Sequence, residues 1–324
     1  MCYNSPMPPF PYHIRPIQAE KDAAQIAELI RVGFQPWLDR DNLDYLSRLQ
    51  HAGEDAAAHP WWMNLTGFPY PLEGIVCTDS GNRILGLINT NTFHLNGKTC
   101  SLLSNVCVTP EKRGEGIASH MLEDVIQRQR SAGISGLFLQ ARMETPSAVN
   151  LYRANGFRVT DYRETWIAPS TTPQPKTADN GFTTHRVPEK DAEIFRPAFF
   201  RRYPETILWN QNYRADLFST GLSAEISRFL SGTTNRLFRI QSRDGSVKAW
   251  GALQELNGNT DSAWFVPNGR LSEEEETAAL ICLRSRYKGN KALRLDTPAG
   301  VSMNAYINAG FTRQHTLGWM WKEL

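Results

Sequence analysis

The stretch that decides the fold is SNVCVTPEKRGEGIASHMLEDVIQRQRSA, residues 104–132. It reads as a strand, a glycine-rich turn and an amphipathic helix. Residues 105–109 alternate, with Val106 and Val108 on one face and Cys107 on the other, which is the period of a strand. Pro110 ends the ladder because it has no N–H to donate. From Gly116 onward, Ile117, Met121, Leu122, Val125 and Ile126 recur every three or four residues and make one apolar stripe. Gly133 supplies the left-handed stop.

Between strand and helix lies Arg113-Gly114-Glu115-Gly116-Ile117-Ala118. Side chains are absent or small where the backbone must turn. The first N–H groups of a helix lack an intrahelical partner and point out of its end, and the helix dipole adds roughly half a positive charge there. Amides so arranged cradle a pyrophosphate, and Arg113 adds charge-assisted bonds to a phosphate. There is no G-x-G-x-x-G and no Gly-Lys-Ser/Thr, so neither a dinucleotide fingerprint nor a Walker loop is present.

The run 108–118, VTPEKRGEGIA, resembles the acyl-CoA-binding motif of the GCN5-related N-acetyltransferases, the GNAT family. The family pattern is Gln or Arg, two residues, Gly, one residue, then Gly or Ala. Arg113, Gly116 and Ala118 fill it. The resemblance implies an α+β fold with a mostly antiparallel mixed sheet, a parallel and splayed strand-four/strand-five pair, and flanking helices. It implies acetyl-CoA, or another acyl-CoA, as donor substrate, with no metal. Donor contacts then fall on Val106, Cys107 and Val108 of the strand and on Arg113, Gly114, Glu115, Gly116, Ile117 and Ala118 of the cradle. A strand-four backbone N–H near Cys107 polarises the thioester carbonyl in such enzymes.

A second family motif, in which Ala, Leu-Tyr and Gly-Phe recur, is similar to residues 144–157, ETPSAVNLYRANGF. Pro146 suits a first helical turn, and Gly156 ends the helix. Tyr152 takes the general-acid role for the departing thiolate. The family often carries Asn seven residues before this Tyr, contacting the cofactor; here the position is Thr145, which still donates one hydrogen bond. The base is less legible. Many relatives place Glu or Asp on strand four before the proline, where this chain has Ser104 and Asn105. A water held by Ser104 can serve; Glu73, Asp79, His94 and Glu144 are eligible by location. Cys107, as a strand cysteine, reads as structural rather than as a ping-pong nucleophile.

A chain of 324 residues exceeds one ordinary core and predicts two domains. Its 41% apolar and 21% charged content is that of a globular protein. The net charge of +2 argues against a nucleic-acid or polyanion partner. Five scattered cysteines without metal spacing read as reduced thiols and a cytoplasmic location. The start, MCYNSPMPPFPYH, has no signal-peptide run, and no segment has the ~20 apolar residues of a membrane span. The prolines at 6, 8, 9 and 11 make an extended arm.

Upstream of the cradle, residues 13–17 read as a strand and 23–32 as a helix capped by Asp22. A helix follows over 43–52, then an aromatic loop in which Trp61 and Trp62 are candidate acceptor contacts. Strands over 73–78 and 83–93 are joined at residues 79–82, and Asn96-Gly97 turns the chain into strand four, residues 99–109. Residues 137–141 form strand five, and 157–160 and 162–167 close the sheet as its last two strands. Residues 168–181 have the composition of a linker.

The second half repeats the first. HIRP at 13–16 has a partner in HRVP at 185–188, and NLYRANGF at 150–157 aligns without gaps on NAYINAGF at 304–311. Strands over 236–241, 247–256, 262–266 and 292–296 and a helix over 272–286 keep the same order. Domains are therefore expected at 1–168 and 182–324, a tandem of two GNAT-like copies. In the second copy the cradle is replaced by Asn268-Gly-Arg-Leu-Ser272-Glu-Glu-Glu-Glu276. Ser272 caps the helix, and carboxylates stand where a pyrophosphate would sit. This degenerate copy is left for packing, a homodimer contact or a share of the acceptor site. The reading is an N-acyltransferase moving acetyl from acetyl-CoA to a primary amine of a small molecule in a ternary complex. The alternative is a non-catalytic acyl-CoA-binding sensor or scaffold; larger acceptors such as aminoglycosides or peptides are a third reading.

Overall fold

The computed structural model describes residues 10–38, 40–58, 72–173, 181–187, 192–209, 211, 213, 215–219, 226, 230, 233–256 and 258–324. Strand-period and helix-period segments alternate twice along the chain, which divides into two compact units. The first gathers Met1–Ala141, Thr145–Thr160 and Trp319–Leu324, and the second Arg142–Glu144 and Asp161–Gly318.

The first unit runs β1 (His13–Pro16), α1 (Ala19–Phe34), α2 (Arg40–Ala58), β2 (Gly74–Thr78), β3 (Ile84–Leu95), β4 (Lys98–Val108), α3 (Ile117–Ser131), β5 (Gly136–Arg142) and α4 (Pro146–Ala154). Strands β1 to β4 are antiparallel neighbours in chain order. Asn96 and Gly97 both take positive φ, 51° and 73°, as a two-residue hairpin turn requires. Helix α1 begins a turn earlier than the cap at Asp22 predicts. Asp22 is buried inside its first turn, accepting from the Gln18 N–H at 2.7 Å and from both Arg15 terminal nitrogens at 2.7 and 2.8 Å. The stripe Ile26, Leu29, Ile30 packs with Leu46 and Leu49 of α2 and with Val76, Leu87 and Cys107 of the sheet.

Two departures from a regular sheet shape this unit. Strand β5 pairs with β4 in parallel only from Cys100↔Gly136 to Leu102↔Phe138. Both strands then continue, β4 to Val108 and β5 to Arg142, so the pair splays. The second departure is a bulge in β4. Opposite β3 the register steps from Leu87↔Cys107 to Asn89↔Ser104, which gives β4 one extra residue. Asn105 absorbs it with φ of 50°, the left-handed conformation that Asn tolerates best after Gly.

The edge of this unit beside β5 is completed from the far end of the sequence. Leu324 N–H donates to Ser135 O at 3.2 Å, and the Trp321 ring lies 4.4 Å from that of Phe138. A Cβ on Gly136 would stand 1.8 Å from the Trp321 ring, so only glycine fits there. The expected pair of strands over 157–160 and 162–167 is instead one strand, β6 (Arg158–Ala168). No turn breaks it at Asp161, and residues 163–168 pair antiparallel with a strand of the second unit.

In that second unit β7 (Phe182–Arg186), α5 (Ala192–Arg202), α6 (Glu205–Leu208), β8 (Thr234–Ser242), β9 (Val247–Glu255), β10 (Thr260–Pro267), α7 (Glu273–Ser285), β11 (Ala292–Pro298) and α8 (Met303–Asn308) follow in turn, then β12 (Thr312–Glu323), whose residues from 319 on belong to the first unit. Its strand order is β6-β11-β10-β9-β8-β7, with β10 and β11 parallel. One core cluster places Trp166, Phe265, Leu283 and Tyr306 together; another packs Phe195, Phe199 and Tyr203 on Trp264. The internal repeat is visible in the last helix of each unit. Phe157 N–H bonds Tyr152 O at 3.1 Å and Phe311 N–H bonds Tyr306 O at 2.9 Å, with Gly156 and Gly310 at φ of 84° and 81°. Among the described residues no helix is long and apolar enough to cross a membrane.

Candidate functional site

The glycine-rich turn sits where β4 ends and α3 begins, at the open end of the β4/β5 splay. Thr109 N–H bonds Leu85 O at 2.8 Å and ties the strand end to β3. Residues 110–112 make one 3-10 turn. The backbone then reverses through Gly114 and Gly116, at φ of 87° and 79°. A Cβ on Gly114 would meet nothing within 4 Å, and one on Gly116 would face only the His120 ring at 3.5 Å. At its two glycines the turn is therefore open among the described residues. The amides of Gly114 to Ser119 take no acceptor among the described residues; the next one, His120 N–H, closes the first helical bond to Gly116 O at 3.1 Å. These are the donors a diphosphate needs, bare and at the positive end of a helix.

Arg113 is exposed beside them. Its Nε donates to Val108 O at 3.2 Å, which anchors the stem, and its terminal nitrogens take no partner among the described residues. Ile117 is buried, its side chain turned toward Gly86, so only its amide reaches the turn. Ala118 is partly exposed. Cys107 points into the α1 side of the sheet, where a Cβ on Gly33 would meet its own at 3.2 Å. Burial pushes its thiol up to about 12 against the lowering pull of Arg113. Such a thiol stays neutral at neutral pH. Val106 is half-buried, and the bulge at Asn105 interrupts pairing just before it. Asn105 Nδ2 donates to Asn89 Oδ1 at 3.0 Å, and Asn89 Nδ2 to Glu73 O at 3.1 Å, so a chain of amides fixes the bulge.

Tyr152 lies on α4, 6% exposed, with its ring edge-on to Phe157 at 6.0 Å. Its hydroxyl has no hydrogen-bond partner among the described residues. Burial, and then the nearby Cys107, raise its pKa well above the ordinary phenol value. The phenol therefore keeps its proton across the neutral range, although burial makes it a weaker acid than a free tyrosine. Thr145 is the N-cap residue of α4; its carbonyl accepts from Ala148 and Val149, and its side chain caps nothing. Ser104 Oγ accepts from Asn91 Nδ2 at 3.3 Å.

The base candidates are largely engaged elsewhere. Asp79 holds the β2–β3 turn through the N–H groups of Gly81 and Arg83. His94 pairs with Thr99 at the opposite end of the hairpin, and Glu144 accepts from Thr316 N–H at 2.9 Å. Glu73 is exposed at the start of β2. Trp61 and Trp62 lie outside the described residues. Among the described residues no three His, Cys, Asp or Glu side chains converge to hold a metal ion. The arm residues Phe10 and Tyr12, which sequence reasoning passed over, touch the first turn of α3 at His120 and the loop at Glu115; only the prolines around them drew notice.

In the second unit the corresponding helix start is occupied by its own side chains. Ser272 Oγ accepts from Glu275 N–H at 3.2 Å, and Glu275 Oε2 accepts from Ser272 N–H at 3.0 Å, a closed capping box. Strands β10 and β11 also part, after Ala263↔Leu295. Here the end of α5 reaches both of them: Tyr203 donates to Phe265 O at 3.1 Å, and Arg202 to Thr297 Oγ1 at 2.8 Å. Tyr306, the counterpart of Tyr152, is fully buried and lies 3.4 Å from the same Thr297 hydroxyl.

Residues 34–157 match the model of the acetyltransferase (GNAT) family. Across the whole chain, the structure is similar to a GCN5-related N-acetyltransferase from Sphaerobacter thermophilus, with TM-score 0.54 at 16% identity over 97% of this chain and 96% of that one. It is also similar to the GCN5-related glucosamine N-acetyltransferase region of a fungal multi-domain GH3 β-N-acetylglucosaminidase, with TM-score 0.56 at 12% identity over 98% of this chain. The chain spans only 38% of that fungal protein. No protein of curated function matches it in sequence. The match to the family model lies in the first unit, and the α+β fold of the whole chain is that of GNAT proteins. The family comprises N-acyltransferases that take the acyl group from acyl-CoA.

Proposed function

We propose that this protein is an N-acyltransferase that moves acetyl from acetyl-CoA to a primary amine of a small molecule, by direct attack in a ternary complex. The observation that carries this reading is the open turn at 113–118, whose amides at the start of α3 take no acceptor among the described residues, beside the β4/β5 splay. Acetyl-CoA supplies the activated thioester. The amides of residues 114–118 and the Arg113 guanidinium hold its diphosphate. In this reading a backbone N–H of β4 near the bulge, over Val106 and Cys107, polarises the carbonyl, and Val108 and Thr145 line the arm of the donor. Tyr152 gives its proton to the departing thiolate. Ser104 lies on the acceptor side, Trp61 and Trp62 stay acceptor candidates by sequence alone, and a water on Ser104 takes the amine's proton.

Titration calorimetry with acetyl-CoA on the wild type and on an Arg113→Glu, Gly116→Glu variant tests the donor. The reading expects one site in the wild type and none in the variant. Equal binding by both, or none by the wild type, overturns it.

The occupied or distant carboxylates favour a second reading, a non-catalytic acyl-CoA sensor. An amine screen with thiol detection separates the two. Turnover that collapses in Tyr152→Phe supports the enzyme, and tight binding without turnover on any amine supports the sensor. The same reading places the protein in the cytoplasm, on the strength of reduced cysteines, four of which are buried free thiols. It takes neither nucleic acid nor membrane as partner, and leaves the second unit free for a homodimer contact.

A further inference from the structure

A carboxylate inside an anion cradle is a hazard. Glu115 stands between the two left-handed glycines, with its side chain 41% exposed. Helix N-termini attract carboxylates, so an unrestrained Glu115 folds back onto the amides that a diphosphate needs. In the second unit a carboxylate does meet the helix start, from inside the helix: Glu275, at the third helical position, lies on the Ser272 N–H. In the first unit both oxygens of Glu115 are taken from outside. Oε1 accepts from Lys112 Nζ at 3.1 Å, and Oε2 accepts from the Tyr12 hydroxyl.

Tyr12 is itself held. The Lys112 ammonium lies 5.8 Å over its ring. Two residues earlier, Phe10 stacks on His120 at 4.1 Å with 15° between the planes, and His120 Nδ1 sits 3.0 Å from Gly116 O. The arm thus grips the first turn of α3 at one point and the turn's carboxylate at another. The Tyr12 and Lys112 bonds also lower the Glu115 pKa, which keeps it charged.

We propose that residues 10–12 form a strap belonging to the donor site, in which Tyr12 is a positioning residue that, with Lys112, holds the Glu115 carboxylate off the path of a diphosphate ester. This rests on the reading of acyl-CoA as donor. Tyr12 touches no reacting atom; it acts through Glu115.

The test is a double-mutant cycle read by calorimetry with acetyl-CoA. Tyr12→Phe weakens binding by about 3- to 10-fold, the scale of one charge-assisted contact. Glu115→Gln keeps the backbone amide and removes only the charge to be held, so its own affinity is the reference for the second arm of the cycle. In the Glu115→Gln background Tyr12→Phe has no further effect. A plain packing role would not produce that rescue, and thermal midpoints of all four proteins separate it from loss of fold. If Tyr12→Phe weakens binding equally in both backgrounds, or binds like a wild type that does bind, the strap is overturned and the donor site stands. If the wild type binds no acetyl-CoA, the donor reading itself fails, and the strap with it.

Discussion

The two units begin their central helices in opposite ways. In the first, Gly116 at φ of 79° leads into α3, and no side chain caps it. In the second, Ser272 and Glu275 close a capping box at α7, and four glutamates fill its first turn. The strands beside them differ in the same sense. Among the described residues the Tyr152 hydroxyl has no partner near the splay of β4 and β5. Arg202 and Tyr203 bond to the two strands that part in the second unit, and Tyr306 closes on Thr297. A helix end that satisfies its own amides is stable and chemically silent. One that leaves them bare gives up about 1 kcal/mol of capping and gains an anion site.

The sharpest way to break this contrast is to fill the open turn. Gly116→Glu puts a charged L-residue at positive φ among the donors. It is expected to weaken acetyl-CoA binding at least about 100-fold, through lost amides and like-charge repulsion, as calorimetry reads directly. Tyr152→Phe comes next. It is expected to lower kcat about 100-fold with little change in KM, the usual span of a general acid. Because burial raises the Tyr152 pKa, the acid form persists as pH rises, so kcat keeps its value from pH 7 through pH 9 on the tyrosine's account. A fall in that interval that Tyr152→Phe abolishes would contradict the assignment.

A smaller effect is expected at the bulge. Asn105→Ala loses the bond to Asn89 and the tolerance for φ of 50°; it should cost about 1–2 kcal/mol in urea unfolding and about 10-fold in kcat. Asn105→Gly keeps the backbone and should recover most of the rate. Equal losses in the two variants would mean that the side chain, not the backbone path, matters. The smallest effect completes the comparison. Ser272→Ala removes the cap of α7 and should cost about 1 kcal/mol in stability. Acetyl-CoA stoichiometry should remain at one per chain, since the glutamates still hold that helix end. A second site appearing in Ser272→Ala would mean that the cap alone had silenced this copy.

Much of this contrast is legible in local sequence. Pro110, the two glycines and the stripe from Ile117 to Ile126 state a strand, a turn and a helix within a few residues of one another. Ser272 followed three residues later by Glu275 states the capping box just as locally. The bulge was not legible, because Asn105 reads as one more position of an alternating strand until β3 lies beside it. Nor was the arm, since Phe10 and Tyr12 meet partners more than a hundred residues away. Asp22 was read as a cap because its type suits one; burial against Arg15 gives it a different task.

The sequence by itself determined the class of fold, the open turn, the second copy and that copy's closed helix end. Each follows from residue type at short spacing, where steric limits on φ and the period of apolar residues act directly. Only the tertiary structure decided that residues 158–168 make one strand paired with β11, and that residues 319–324 complete the sheet beside β5. It also decided that Gly136 must be glycine beneath Trp321. A strand's pattern records which face is buried, but its edge amides are the same for every neighbour. Which strand pairs with it is settled only when the whole chain has packed.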